Sequence, residues 1–306
     1  MALMGPFFLP ASLKTLKYEY RIEAERLGHR RELVMFWLNG TPAGVISLSD
    51  RGLHYGDGCF TTARAVHGRI DDIHAHFSRM QFACSRLLIE PVDWTAWLTE
   101  FRQAATETGN GVVKAMITRG SGGRGYSISG AENPCRIFSN SAIPAQYAQW
   151  QEDGITLAVS PIRLGINPSL AGIKHLNRLE QVLIKAKLEQ TNAHEALVLD
   201  SNARLVECCA ANLFWRIGTR VFTPTLANAG VAGLMRQRII RLLAESEYEL
   251  SIVSAPLDVL RDAEEVFICN SLMPLLPVNE AGEYRFNSRQ LAEYLLPQCL
   301  LPVYES

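Results

Sequence analysis

The chain is 306 residues long and 48% hydrophobic, enough to bury a substantial core in one large domain or two smaller ones. Thirty basic and thirty-one acidic side chains leave a net charge of −1, which gives no bulk attraction to nucleic acid or to an anionic membrane. The seven cysteines (Cys59, Cys84, Cys135, Cys208, Cys209, Cys269 and Cys299) are odd in number and form no CxxC pair, so neither a disulfide framework nor a metal site is expected.

A reducing cytoplasm is the expected compartment. No apolar run approaches membrane-spanning length, and the opening MALMGPFFLPASL lacks the basic start of a secretory signal. Residues 1–34 are highly charged with weak periodicity, and two readings fit them: a segment foreign to the fold, with Met35 as the true start, or a regulatory or oligomerisation arm.

From Met35 the pattern predicts strands at MFWLNG and GVISLS, then a hairpin in GCFTTARAVHGRI turned at His67-Gly68. A helix is expected from Asp71-Asp72. Its apolar stripe is Ile73, Phe77, Met80, Cys84 and Leu87, with His76, Arg79 and Arg86 as a polar flank. A second helix over 94–106 precedes a strand at GVVKAMITRG, the loop SGGRGYS and a strand at CRIFSNSAI. Residues 35–143 thus read as a small α+β domain. Residues 144–154, bounded by proline and glycine, read as an inter-domain connection, and 155–306 as a larger domain. That larger part opens with a strand at ITLAVSPI and continues through short strands at EALVLD, RLVECC, NLFWRIG and RVFTPT. A helix follows at GLMRQRIIRLLAES, then a strand and loop in EVFICNSLMPLLPV.

Four features invite chemistry. Lys174, in AGIKHLNRLEQ, is expected just before or within the first turn of a helix carrying Leu176, Leu179, Val182, Leu183 and Ala186. The positive end of a helix dipole is a poor place for an unpaired cation. Lys174 is therefore either a solvated surface lysine or one that must lose its charge, as a Schiff-base amine does. Glu207 alternates with apolar neighbours on an expected strand; it either faces outward or is buried against a cationic partner. Gly233 precedes a helix whose free N–H groups at Leu234 and Met235 could face an anion. Arg119 and Arg124, in RGSGGRGYS, sit on a flexible hairpin tip or on an anion clamp, and the segment is neither a Walker loop nor a dinucleotide fingerprint. Arg79, on its helix flank, reads by spacing as solvated surface ahead of any ligand role. An imine lysine, a buried carboxylate, a phosphate nest and arginines for carboxylates are together what pyridoxal phosphate (PLP) requires.

The blocks LSDRGLHYGDGCFTTAR, HAHFSRMQFACSRL, GIKHLNRLEQVL, ALVLDSNARLVECCAANLFW, GVAGLMRQ and ICNSLMPLLPV resemble the fold-type IV PLP enzymes. That class includes branched-chain and D-amino-acid aminotransferases. Within it, FTTAR, ITRGSGGRGYS and LAGIKHLNRLEQVLI are most similar to the 4-amino-4-deoxychorismate lyases, which form 4-aminobenzoate and pyruvate for folate synthesis.

The resemblance implies a two-domain α+β fold with a β-barrel-like core in the larger part, a homodimer, and PLP as cofactor. It implies Lys174 as the cofactor-binding lysine and Glu207 as the carboxylate on the pyridine nitrogen. Arg79 matches the phosphate arginine, completed by the amides of Leu234 and Met235, and Arg178 and Asn270 fall beside the cofactor. Thr62 stands where the aminotransferases carry glycine; it is expected either to donate or relay a proton or to support its strand by its β-branched shape. Ser271 with Arg64, Arg119 and Arg124 are implied as substrate-binding residues. A same-fold amino-acid aminotransferase, using the same lysine and glutamate, is the alternative; a non-catalytic cofactor binder fits the intact pair less well.

Overall fold

The computed structural model describes residues 34–304, so the expected extension at 1–34 lies, apart from Val34, outside the described residues. The first sheet contains β1 (Phe36–Leu38), β2 (Thr41–Pro42), β3 (Gly58–Val66), β4 (Arg69–Ile70), β5 (Gly111–Thr118) and β6 (Cys135–Ser141), in the order β2-β1-β6-β5-β3-β4. All its pairings are antiparallel. The predicted hairpin is present, with His67 and Gly68 both at positive φ in its turn. A short helix α1 (Arg51–Tyr55) precedes β3. Helix α2 (Ile73–Arg86) starts at Asp72, whose carboxylate accepts from the Ala75 amide, and α3 (Trp94–Thr108) is capped likewise by Asp93. Their apolar faces supply Met80, Cys84, Trp97 and Phe101, which close with Phe138 into one core behind the sheet.

The expected strand at GVISLS does not form. Val45 is 84% and Leu48 83% exposed, and the segment pairs with no neighbouring strand, so its apolar residues have nothing to pack on. Residues 144–154 hold a helix, α4 (Gln146–Asp153), rather than bare linker.

The second sheet begins with β7 (Ile155–Val159). The lysine segment and α5 (Leu179–Leu188) follow, then β8 (Glu195–Leu199), β9 (Leu205–Cys208), β10 (Asn212–Ile217), β11 (Arg220–Pro224) and α6 (Leu234–Ala244). The chain ends with β12 (Glu249–Val253), β13 (Glu265–Cys269), β14 (Leu276–Ala281), β15 (Tyr284–Arg285) and α7 (Gln290–Leu300). The order is β12-β11-β10-β13-β14-β7-β8-β9, with β15 on β14. The sheet curls: the Leu205 amide at one edge donates to Ala255 O, just beyond β12 at the other, at 2.8 Å. The fold is therefore α+β with a barrel-like second sheet, as expected. No helix among the described residues is long and apolar enough to cross a membrane.

Helix α5 turns most of its apolar stripe outward. Its buried residues are Ile184 and Leu188, while Leu179, Val182 and Leu183 are 77%, 59% and 54% exposed.

Candidate active site

Lys174 is not in the first turn of α5, which begins at Leu179 after Arg178. The segment around it runs as an extra edge on β3: the Phe60 amide donates to Lys174 O and the Leu176 amide to Gly58 O, both at 2.9 Å. This contact sews the second half of the chain to the first sheet, and it fixes the lysine backbone without a helix. Strand alternation then sorts the neighbours. Phe60 and Thr62 point to one face of β3 with Lys174, and Thr61 points to the core behind.

A cavity of about 320 Å³ gathers Phe60, Thr62, Arg79, Tyr147, Lys174, Arg178, Gln181, Glu207, Gly233, Leu234, Asn270 and Ser271 on its walls. Lys174 Nζ lies 4.6 Å from the centre of the Phe60 ring. Burial, with the positive charge of Arg79, pushes its pKa down to about 8. Glu207 is 4% exposed on β9. One of its carboxylate oxygens accepts from the Val231 amide at 2.8 Å, and burial raises its pKa to about 7. The outward-facing alternative for Glu207 is thereby excluded.

Arg79 was placed on a polar helix flank by its spacing, yet it is largely buried, and burial lowers its pKa to about 10. It donates to Ala232 O at 2.9 Å, and no carboxylate among the described residues pairs with it. A buried guanidinium without a carboxylate is costly. An anion bound between it and the start of α6 would remove that cost. Helix α6 has no side-chain cap, and its first residues, Leu234 and Met235, follow Gly233. A Cβ at Gly233 would collide with Asn212 Oδ1, so a larger residue there would displace the Asn212 side chain. Asn212 holds this turn by donating to Val231 O at 3.0 Å.

Arg178 lines the cavity while donating to His175 O at 2.8 Å and Ile173 O at 3.2 Å. Asn270 is on the wall, but its side chain mainly shapes its own loop: it accepts from the amides of Leu272 and Met273 and donates to Ala210 O. Ser271 and the Thr62 hydroxyl have no hydrogen-bond partner among the described residues.

Three expected substrate arginines are not on this wall. Arg119 is 5% exposed, and its guanidinium donates to both oxygens of Asp57, at 2.8 and 2.9 Å, and to the carbonyls of Leu87 and Leu88. Four of its five N–H groups are committed to these contacts, so it holds the fold, away from the cavity wall. Arg64 points to a neighbouring crevice, paired with Asp71 at 2.6 Å and bonded to Leu300 O. Arg124 is exposed on the glycine-rich loop. That loop is not a free tip, because Arg51 reaches in to bond the carbonyls of Gly122, Gly125 and Ser127.

Two residues escaped the sequence reading. Lys114 sits directly across from Thr62 in the β3–β5 register, its Nζ 4.8 Å from the same Phe60 ring. It has no carboxylate partner among the described residues, and burial lowers its pKa. Its position in an apolar strand, GVVKAMIT, was the available signal. Tyr147, from α4, is also on the cavity wall.

The family described as amino-transferase class IV matches residues 58–281. The chain belongs to this family. Among class IV relatives, it is 42% identical over 245 residues to the aminodeoxychorismate lyase of Vibrio harveyi, spanning 80% of this chain and 90% of that protein. The crystal structure of 4-amino-4-deoxychorismate lyase from Pseudomonas aeruginosa superposes with a TM-score of 0.83 at 36% identity, over 86% of this chain and 97% of that one. A PLP-bound hypothetical aminotransferase from Mycobacterium tuberculosis shares the fold, with a TM-score of 0.76 at 16% identity, over 87% of this chain and 97% of that one. The matched residues run from the start of β3 to the end of β14, so they contain Thr62, Arg79, Lys174, Glu207 and the start of α6.

Proposed function

We propose that this class IV protein is a PLP-dependent lyase that converts 4-amino-4-deoxychorismate to 4-aminobenzoate and pyruvate. The observation that carries the reading is one cavity in which a lysine of lowered pKa and a buried glutamate accompany an arginine without a carboxylate partner. The residues fit PLP. Arg79 and the amides of Leu234 and Met235 would hold its phosphate, Lys174 its aldehyde carbon, and Glu207 a proton at its ring nitrogen. PLP, when bound, supplies an electron sink for the carbon next to the substrate's amine.

Lys174 Nζ, neutral over part of the physiological range because of its lowered pKa, takes the proton from C4 of the substrate. Glu207 keeps the ring-nitrogen proton in place through that step. The bond from C3 to the enolpyruvyl oxygen then breaks. Thr62 relays a proton to that oxygen and is reprotonated from the Lys174 ammonium formed in the first step, and the released enol is pyruvate after tautomerisation. Aromatisation of the substrate ring drives the reaction forward. Lys114, cross-strand from Thr62, supplies a cation for one substrate carboxylate. The outward apolar face of α5, Leu179, Val182 and Leu183, supports pairing of two subunits as a homodimer.

Thr62 separates elimination from simple proton abstraction. Thr62→Val keeps the β-branched shape and removes the hydroxyl, so the strand should be undisturbed. Pyruvate formation is expected to fall about a hundredfold, the low end of general-acid effects, while exchange of the C4 proton with solvent deuterium persists. A valine enzyme that forms 4-aminobenzoate at the native rate would remove Thr62 from the mechanism.

A further inference from the structure

Behind the cavity, the side of β3 that faces away from Lys174 carries a second set of polar groups. Thr61, fully buried, lies with its hydroxyl 2.6 Å from His76 Nδ1. The same oxygen accepts from an Arg79 terminal nitrogen at 3.5 Å. His76 and Arg79 are three residues apart on α2 and so share a helix face. His76 was expected on a solvated flank, yet it is 2% exposed and meets Phe101 edge-on. A buried histidine and threonine are expensive in a core unless their hydrogen bonds serve a purpose.

The direction of this chain follows from donor counts. A guanidinium only donates, so Thr61 must accept from Arg79. The arrangement that links all three groups has the Thr61 hydroxyl proton given to His76 Nδ1 as acceptor, with the ring proton on Nε2. Burial, reinforced by the charges of Arg79 and Lys174, holds the His76 pKa well below its ordinary value and keeps the ring neutral. On the other side, Arg79 is tied to Ala232 O. Two of its five N–H groups are thus committed to fixed acceptors.

We propose that His76 and Thr61 are positioning residues: the chain Arg79 to Thr61 to His76 sets the plane of the Arg79 guanidinium so that its remaining N–H groups face an anionic phosphate at the start of α6. The inference rests on the reading of the cavity as a PLP site. Neither residue lines the cavity wall or touches the reacting atoms. They act through Arg79, on cofactor affinity and not on chemistry.

The test is titration of the full-length apoprotein with PLP, followed by absorbance, alongside ³¹P NMR of the bound phosphate. Thr61→Val, near-isosteric, should weaken PLP binding about tenfold, as expected for losing one hydrogen bond to a charged group, and shift the phosphorus resonance. Thr61→Ser should stay within about twofold of wild type because the hydroxyl is kept. At saturating PLP, kcat of both variants should return to the native value. Arg79→Ala, which removes the whole contact, should cost more, about 10- to 150-fold.

His76 gives a second pair should Thr61→Val fold poorly. His76→Asn, whose amide oxygen can replace Nδ1 as acceptor, should bind PLP nearly as wild type, and His76→Leu should lose about tenfold. Equal affinities in Thr61→Val and wild type, or in His76→Asn and His76→Leu, would overturn the chain alone. A wild-type protein that fails to bind PLP would overturn the cofactor reading and this inference with it.

Discussion

Lys174→Ala is expected to abolish turnover almost completely, by about ten-thousandfold, because one amine serves as both cofactor anchor and C4 base. The lysine is poised for both roles. Burial and the neighbouring Arg79 bring its pKa down to about 8, and Glu207 opposes that drop only in part. Loss of the amine leaves Arg79, Leu234 and Met235 in place, so PLP should still bind through its phosphate. Borohydride reduction of the wild-type protein followed by peptide mapping should find the pyridoxyl group on Lys174, and the alanine variant should take up none. A label on Lys114, the second amine at the Phe60 ring, would move the catalytic role to that residue.

The second large effect is on stability and arises away from the cavity. Asp57 accepts from Arg51 at 2.9 Å and from Arg119 at 2.8 Å, and both arginines are almost entirely buried. Asp57→Asn leaves those two charges without a counter-ion, a change that typically costs about 3–5 kcal/mol. The glycine-rich loop that Arg51 holds by three carbonyls should loosen with it. The sign with pH follows from the same contacts. Burial pushes the Asp57 carboxyl up, but hydrogen bonds and charge from Arg119 and Arg51 outweigh it, and its pKa lies below the ordinary carboxylate value. A folded-state pKa below the unfolded one stabilises above the ordinary carboxylate range, and that share is lost as pH falls through the lowered value. Thermal melts should therefore separate wild type and Asp57→Asn widely at neutral pH and less in strong acid. Coincident melts at neutral pH would show that the pair contributes nothing.

The parts of the site legible in the sequence are those carried by local pattern. The apolar stripe of α2 located that helix, the alternation around Glu207 located β9, and Gly233 marked the start of α6. What the sequence hid depends on contacts between distant segments. Spacing on α2 put His76 and Arg79 on a solvated flank, because nothing local reveals that β3 and the 231–233 turn cover that flank. Arg119 read as a substrate ligand because its partner, Asp57, is 62 residues away and meets it only when β5 pairs with β3. Lys114 was missed for the same reason: its place opposite Thr62 is a matter of strand register. The stripe of Leu179, Val182 and Leu183 located α5 but not its packing, since an apolar stripe does not say whether it meets its own core or another chain.

The central claim is a carbon–oxygen elimination at a class IV site, and product stoichiometry tests it most directly. Purified protein with PLP and 4-amino-4-deoxychorismate, in the absence of any keto acid, should release 4-aminobenzoate and pyruvate in equal amounts over many turnovers. Absence of 4-aminobenzoate, with the amino group passed instead to an added keto acid, would contradict the account and identify the protein as an aminotransferase.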